Sequence, residues 1–485
     1  MNYLLNLKRT LSFGSLVVLL LLIACSDSVS EEGPDTPPGE ADLSEQNLLR
    51  AMELTDNTIA AHFTGDGMAM ARYYNPYTKV RSDEKGSVWM YTAGIEAVNA
   101  ILHALEAQKD HGNAALYNEH FSKYADLLAR LYDNADYYLG TFELVSYTQT
   151  KQWSVYGVNR GGSKGAAKVE GIENVYDDQM WLVRELIESY KITGNEQYLE
   201  KAEYLTEYVL DGWDCTRDAN GEERGGIPWG PGYVSKHSCS NGPMVSPLVW
   251  LHEIYKDKSD EITYRYIDSE DKQTRLSETV KKADYYLDFA KKVYAFQKKH
   301  LLRSDGVYDD MMGGCTPGKP ETETIGGNTY RKGITCKDRV GPAITYNSGT
   351  MLSGAADLYR ATNDNVYKDD MQKLSDASFS YFAKLGQTKP GYYTFDISGF
   401  RNWFNGVLMR GYVDVYPQHG TVAEYLEAFQ KNLDHGYENF LYEGFLPTNL
   451  LLGWSRDNGN NKTEGMFSFA FAAEYAVLSR FEVEK

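Results

Sequence analysis

Six strongly apolar segments of helical period recur along the chain, each entered through a polar or glycine-containing approach and each alternating with a more amphipathic helical segment. The apolar members start at "SVWMYTAGIEAVNAILHAL" (87), "DDQMWLVRELIESY" (177), "NGPMVSPLVWLHEIY" (241), "YNSGTMLSGAADLYRAT" (346), "WFNGVLMRGYVDVY" (403) and "EGMFSFAFAAEYAVL" (464). Amphipathic partners lie near 45–64, 114–137, 195–212, 276–300, 364–384 and 420–436; in the third, Tyr198, Ala202, Leu205 and Val209 mark one buried stripe. Helices that are apolar all round must be covered on every side, whereas a striped helix needs cover on one. An inner ring of six inside an outer ring of six meets both demands. The sequence therefore predicts an all-α (α/α)6 barrel in one domain spanning residues 45–485, with no second linker after its start.

If every apolar helix enters this barrel with the same polarity, the segments at their starts gather at one mouth. They bring Trp89 and Tyr91, Asp177 and Asp178, Asn241, Tyr346 and Asn347, Trp403 and Asn405, and Glu464. Long loops containing "WSVYGVNRGGSKG", "GGIPWGPGYVSKHSCS" (with Trp229) and "VYDDMMGGCTPGKPE" fall at the same end and would wall a cleft. The chain's 38 tyrosines and 8 tryptophans fit either a carbohydrate cleft, where aromatic faces stack on sugar rings, or a core that favours tyrosine.

The tetrapeptide VYDD occurs twice, at 175–178 and at 307–310. From the first copy Met180, Val183, Ile187 and Tyr190 continue at helical spacing, so Asp177 and Asp178 stand at a helix amino terminus. There they serve either as a cap with a dipole-favoured neighbour or as a carboxyl pair for acid/base work. Tyr176 is placed to hydrogen-bond one of them or simply to pack. The second copy precedes the non-periodic "MMGGCTPG", so Asp309 and Asp310 belong to a loop. A sugar contact, assigned to Asp309, and a solvated turn are both open to them.

The segment "YDDQMWLVRELIESYKITGNEQYLEKAEYL", together with "GGIPWGPG" (225–232), "YNSGTMLSGAADLYRAT" (346–362) and "FNGVLMRGY" (404–412), resembles glycoside hydrolase family 76 in content and order. The resemblance implies an (α/α)6 barrel and endo-hydrolysis of α-1,6-mannan or manno-oligosaccharides with retention, without cofactor or metal. It implies Asp177 as nucleophile and Asp178 as general acid/base. Tyr176, Trp229, Asn241, Tyr346, Asn347, Asp309, Trp403 and Asn405 are then expected to bind substrate. Pro228 and the cysteine-flanked loop depart from the family pattern and would reshape a subsite. Rival readings are another barrel glycosidase, such as an unsaturated-uronide hydrolase with a more basic mouth, and a surface glycan-binding lipoprotein without catalysis.

The amino terminus points to export. Lys8 and Arg9 precede "VVLLLLIAC", too short for a stable span, and Leu22-Ile23-Ala24-Cys25 resembles a bacterial lipobox. Residues 1–24 read as a lipoprotein signal peptide, Cys25 as the lipidated first residue, and 25–44 as a flexible acidic tether. Its early acidic residues resemble export signals of Bacteroidetes surface lipoproteins, which places the protein on the outer membrane facing outward, with the periplasmic face as the alternative. Without Lys8 and Arg9 the formal charge of −19 becomes about −21, which disfavours nucleic acid as a partner. In an oxidising exterior the four cysteines suggest two disulfides; Cys215 with Cys239 and Cys315 with Cys336 would close the shortest loops, among the three connectivities that four cysteines permit. No CxxC or HExxH spacing supports zinc, and "DNGNN" at 457–461 reads as a surface turn before a calcium loop.

Overall fold

The computed structural model describes residues 42–313, 318–336 and 339–485. Twelve long helices are found among them: α1 (Leu43–His62), α2 (Val88–Asp110), α3 (Ala115–Ala135), α4 (Tyr176–Thr193), α5 (Glu196–Asp211), α6 (Val245–Tyr255), α7 (Lys282–Leu301), α8 (Thr345–Thr362), α9 (Asn365–Phe382), α10 (Arg401–Val415), α11 (Val422–Phe440) and α12 (Gly465–Glu484). The even-numbered helices pack in a closed ring, α2 on α4, α4 on α6, and so on through α12 back to α2; the odd-numbered ones lie against them outside. This is the (α/α)6 barrel that the alternation of segments requires.

Local chemistry sets the boundaries. The inner-to-outer turns after α4 and α8 repeat one device: Gly194 (φ +66°) and Asn363 (φ +55°) take the left-handed conformation that ends a helix. Asn195 and Asp364 then cap the next helix through side-chain acceptors for Gln197 N and Val366 N. The inner helices are buried almost throughout, whereas α11 buries only a stripe that includes Val422, Leu426, Phe429 and Leu433.

Three expectations are corrected. The first outer helix begins at Leu43, not in the 45–64 window, because Asp42 caps it and the Ser44 hydroxyl is already buried, donating to the Ser479 carbonyl at 2.8 Å. Residues 276–281 are not helical; Arg275–Lys281 pairs antiparallel with Glu261–Ile267, with the Thr263 and Thr279 hydroxyls 2.7 Å apart. A second hairpin joins Leu139–Val145 to Thr150–Tyr156. Cys215 and Cys239 are both buried and free, so the disulfide expected from their spacing is not formed: Cys239 faces Asp177 and Tyr346, while Cys215 is under the charges of Glu223 and Asp214. Cys336 is also free; Cys315 and Cys25 lie outside the described residues. The 457–461 segment is a short turn in which Asp457 accepts from Gly459 N at 3.0 Å.

Candidate active site

Helix α4 starts after Val175, which offers no side-chain cap, and Asp177 and Asp178 stand in its first turn. Their carboxyls line a cavity of about 250 Å³ at the barrel mouth. The loop ahead of α6 closes over them. Trp229 N donates to Ser235 O at 3.0 Å, and its own carbonyl accepts Tyr176 N at 2.8 Å, which docks the loop on the start of α4. Gly230 permits that approach, since a Cβ there would stand 2.7 Å from the Asn174 carbonyl oxygen. The docked Trp229 indole stacks on His237 (centroids 4.7 Å) and points its N–H at Asp177 Oδ2, 3.4 Å away.

The two neighbours hold protons differently. Burial pushes Asp177 up from 3.8 to about 6, opposed by the Cys239 thiol, the Trp229 indole and the first-turn amides of Asp177 and Asp178, all of which favour its charged form. Burial pushes Asp178 well above the ordinary carboxyl range, and the adjacent Asp177 charge pushes it further. One carboxylate and one carboxylic acid, side by side, is the state that follows near neutral pH.

A third carboxyl belongs to the second VYDD copy. Asp310 lines the same cavity and is raised to about 6 by burial, with Asn347 and Arg401 favouring its charge and Asp177 and Asp309 opposing it. The strand Met311–Met312, paired with Lys236–His237, ties this loop to the one bearing Trp229. Aromatic rings complete the walls. Trp89 meets Trp403 edge-on at 5.2 Å, Trp403 meets Trp181 at 4.7 Å, and Tyr346 stacks on Phe404 at 4.5 Å. Beneath them the Trp403 indole donates to Glu96 at 2.9 Å, and Glu96 is paired with Arg410.

The cavity thus brings together Asp177, Asp178, Trp229, Tyr346 and Trp403 from the sequence reading. Five other candidates lie elsewhere. Tyr176 packs on Tyr208 (5.0 Å) and bonds to it, turned away from the carboxyls. The fully buried Asn241 holds loop backbone, accepting Ile227 N at 2.9 Å and donating to the His237 carbonyl at 2.7 Å. Asn347 is also buried and supports Asp310 from behind. Asp309 is drawn to Arg303 (3.4 Å) and Arg339 (3.6 Å). Asn405 is engaged by Thr345 and the Asp396 carbonyl in a neighbouring cavity. Of the second VYDD copy the sequence reading assigns the sugar contact to Asp309, whereas Asp310 is the one in the cavity; Trp181, His237, Cys239 and Phe404 it does not single out. Trp181 carried a signal, standing four residues after Asp177 on the same helical face. His237 and Cys239 carried none, because their loop has no period.

The family model for glycosyl hydrolase family 76 matches residues 158–260 and 273–466. Among solved structures, a family 76 glycoside hydrolase (mannosidase) from Bacteroides thetaiotaomicron superposes with a TM-score of 0.65 at 19% identity, covering 90% of this chain and 99% of that one. An inactive double-aspartate variant of an α-1,6-mannanase from Salegentibacter sp., in complex with α-1,6-mannotriose, gives 0.57 at 19% identity over 90% and 99%. A D-mannose isomerase shares the fold more distantly, with a TM-score of 0.53 at 11% identity over 91% and 99%. No curated protein sequence matches the chain.

Proposed function

Because the chain belongs to glycoside hydrolase family 76, it is a glycoside hydrolase, and we propose that it cleaves α-1,6-mannosidic linkages inside mannan with retention of anomeric configuration. The observation that carries this reading is that the adjacent Asp177 and Asp178 line one aromatic-walled cavity, where burial raises both carboxyls and the Asp177 charge raises Asp178 further. The Salegentibacter mannanase, inactive when two consecutive aspartates are replaced, supports the same pair as the catalytic one. Among the described residues the lining includes three aspartates and neither lysine nor arginine, which favours a neutral sugar over the uronide of the rival reading.

In the first step Asp178 gives its proton to the glycosidic oxygen while Asp177 attacks the anomeric carbon; the carbon–oxygen bond breaks and the aglycone leaves as an alcohol. The product on the enzyme is a β-mannosyl ester of Asp177. Asp178, now a carboxylate, takes a proton from water, which attacks the same carbon, breaks the ester and releases the α-anomer. Asp310 accepts hydrogen bonds from sugar hydroxyls, and the indoles offer faces to the ring. NMR of early products from unbranched α-1,6-mannan tests this. The expected result is oligosaccharides with an initial α-anomer. An initial β-anomer would contradict retention, and mannose as the sole first product would contradict internal cleavage.

The leader adds a proposed location. Residues 1–24 direct export, Cys25 carries the lipid, and the acidic segment after it holds the barrel off the outer membrane on the cell surface, where mannan is reached. Of these, residues 1–41 lie outside the described ones.

A further inference from the structure

The turn that carries Trp229 is tied to a hairpin far along the chain. Thr322–Ile325 and Asn328–Arg331 pair antiparallel, and Arg331, the last residue of the hairpin, is 3% exposed. A guanidinium taken out of water ordinarily faces a carboxylate, because an unpaired buried charge is costly. Among the described residues Arg331 directs its donors to main chain. One terminal nitrogen donates to the Pro231 carbonyl at 3.2 Å and the other to the Tyr233 carbonyl, while the guanidinium lies over the Tyr147 ring, 5.4 Å from its centroid. The planar fork thus fixes the carbonyls on either side of Gly232, which a single ammonium could not do with the same geometry.

The same turn is pressed against the segment ahead of α4, where a Cβ on Gly232 would stand 2.5 Å from the Gly171 carbonyl carbon. Tyr233 lies against the Trp229 indole, with ring centroids 4.5 Å apart. The indole N–H reaches Asp177 Oδ2 at 3.4 Å, already long for a hydrogen bond, so a displacement of a few tenths of an ångström would lose it. Asp178, His237, Cys239, Asp310 and Tyr346 also face Asp177 in that cavity. The charge of Arg331 is felt by Tyr147 and Tyr176.

We propose that Arg331 is a positioning residue, whose guanidinium holds the 231–233 turn so that the Trp229 N–H stays on the Asp177 carboxylate; this rests on the mannanase reading. The indole favours the charged form of Asp177. Its loss therefore makes the carboxylate form only at higher pH.

Arg331→Met removes the donors and keeps an apolar stem. The test measures kcat/KM on unbranched α-1,6-mannan against pH for the parent, Arg331→Met, Trp229→Phe and the double variant, with melting temperatures alongside. The acid limb should move up by about one pH unit in Arg331→Met and in Trp229→Phe, with no further movement in the double variant. A purely structural loss would lower kcat/KM equally at every pH, and a direct effect of the lost charge would move the limb again in the Trp229→Phe background. Either result, or a limb that Trp229→Phe leaves in place, would overturn the proposal. Should Arg331→Met fail to fold, Arg331→Lys repeats the comparison with the same expectation, since it keeps the charge and loses the fork. A second readout needs no substrate. In fluorotryptophan-labelled protein the Trp229 resonance, assigned through Trp229→Phe, should titrate with Asp177, and its midpoint should rise in the Arg331 variant. If the parent does not cleave mannan, the mannanase reading falls, and this midpoint still decides the positioning: an unchanged value would overturn it.

Discussion

Asp177 and Asp178 share a helical turn but not a proton affinity, and the difference comes from who donates to whom. Asp177 is served by Cys239 and Trp229, whereas for Asp178 the causes are burial and its neighbour's charge. Asn at either position should lower kcat by several orders of magnitude while oligosaccharide still binds, because the interactions removed belong to the transition state. Asp310→Ala should cost about 10- to 100-fold in kcat/KM, and Asp309→Ala much less, since Asp309 faces Arg303 and Arg339. The acid limb of the kcat/KM profile should fall near pH 6, where Asp177 titrates, and Cys239→Ala should move it to higher pH. Stability gives an independent reading. The Asp177 carboxyl titrates at about 6 folded against 3.8 ordinarily, so the folded state binds more protons in that window and loses stability as pH rises through it. Asp177→Asn should therefore be more stable than the parent at pH 7.5 by up to about 3 kcal/mol, and equal to it below about pH 4, by denaturant titration. The first VYDD copy was legible as a pair because the residues after it keep helical period. The choice of Asp310 over Asp309 was not, because a loop without period gives no rule for which neighbour turns inward. Asn241 and Asn347 read as sugar ligands, yet one binds loop backbone and the other supports Asp310.

At the scale of elements, all twelve helices could be read from apolar period, since burial on every side and burial along one stripe leave different patterns in sequence. The 261–281 hairpin escaped that reading. Its exposed, alternating residues look like the approach to the following helix, and only pairing across the turn separates them. The glycines of "YNSGTMLSG" have a physical cause in helix packing. A Cβ on Gly349 in α8 would stand 2.5 Å from the Val407 carbonyl oxygen of α10, so these backbones approach more closely than any side chain permits. The same two helices carry Tyr346 and Trp403 into the cavity. Gly349→Ala should cost about 1–3 kcal/mol of stability, seen as a lower melting temperature, and should reduce kcat by displacing those rings. An unchanged melting temperature would mean that the helices yield without cost.

For the whole molecule, the barrel gathers six segments distant in sequence, those of Trp89, Asp177, Trp229, Asp310, Tyr346 and Trp403, around one cavity. That convergence was foreseeable from common helix polarity; the loops that complete it were not, because their conformation depends on partners such as the Met311–Met312 strand against Lys236–His237. The proposed lipid anchor is tested on the full chain: replacing Cys25 with Ala should shift the protein from the membrane fraction to the soluble one, and retention in the membrane would refute the anchor. The central claim, that Asp177 is the nucleophile of a retaining mannanase assisted by Asp178, is tested most directly by trapping its intermediate. The Asp178→Ala protein lacks the base for hydrolysis but should still react with a 2,4-dinitrophenyl α-1,6-mannobioside, whose leaving group needs no acid. Intact mass followed by peptide mapping should find one mannobiosyl adduct, on Asp177; release of dinitrophenol with the adduct on Asp310, or with no adduct at any time, would contradict the assignment.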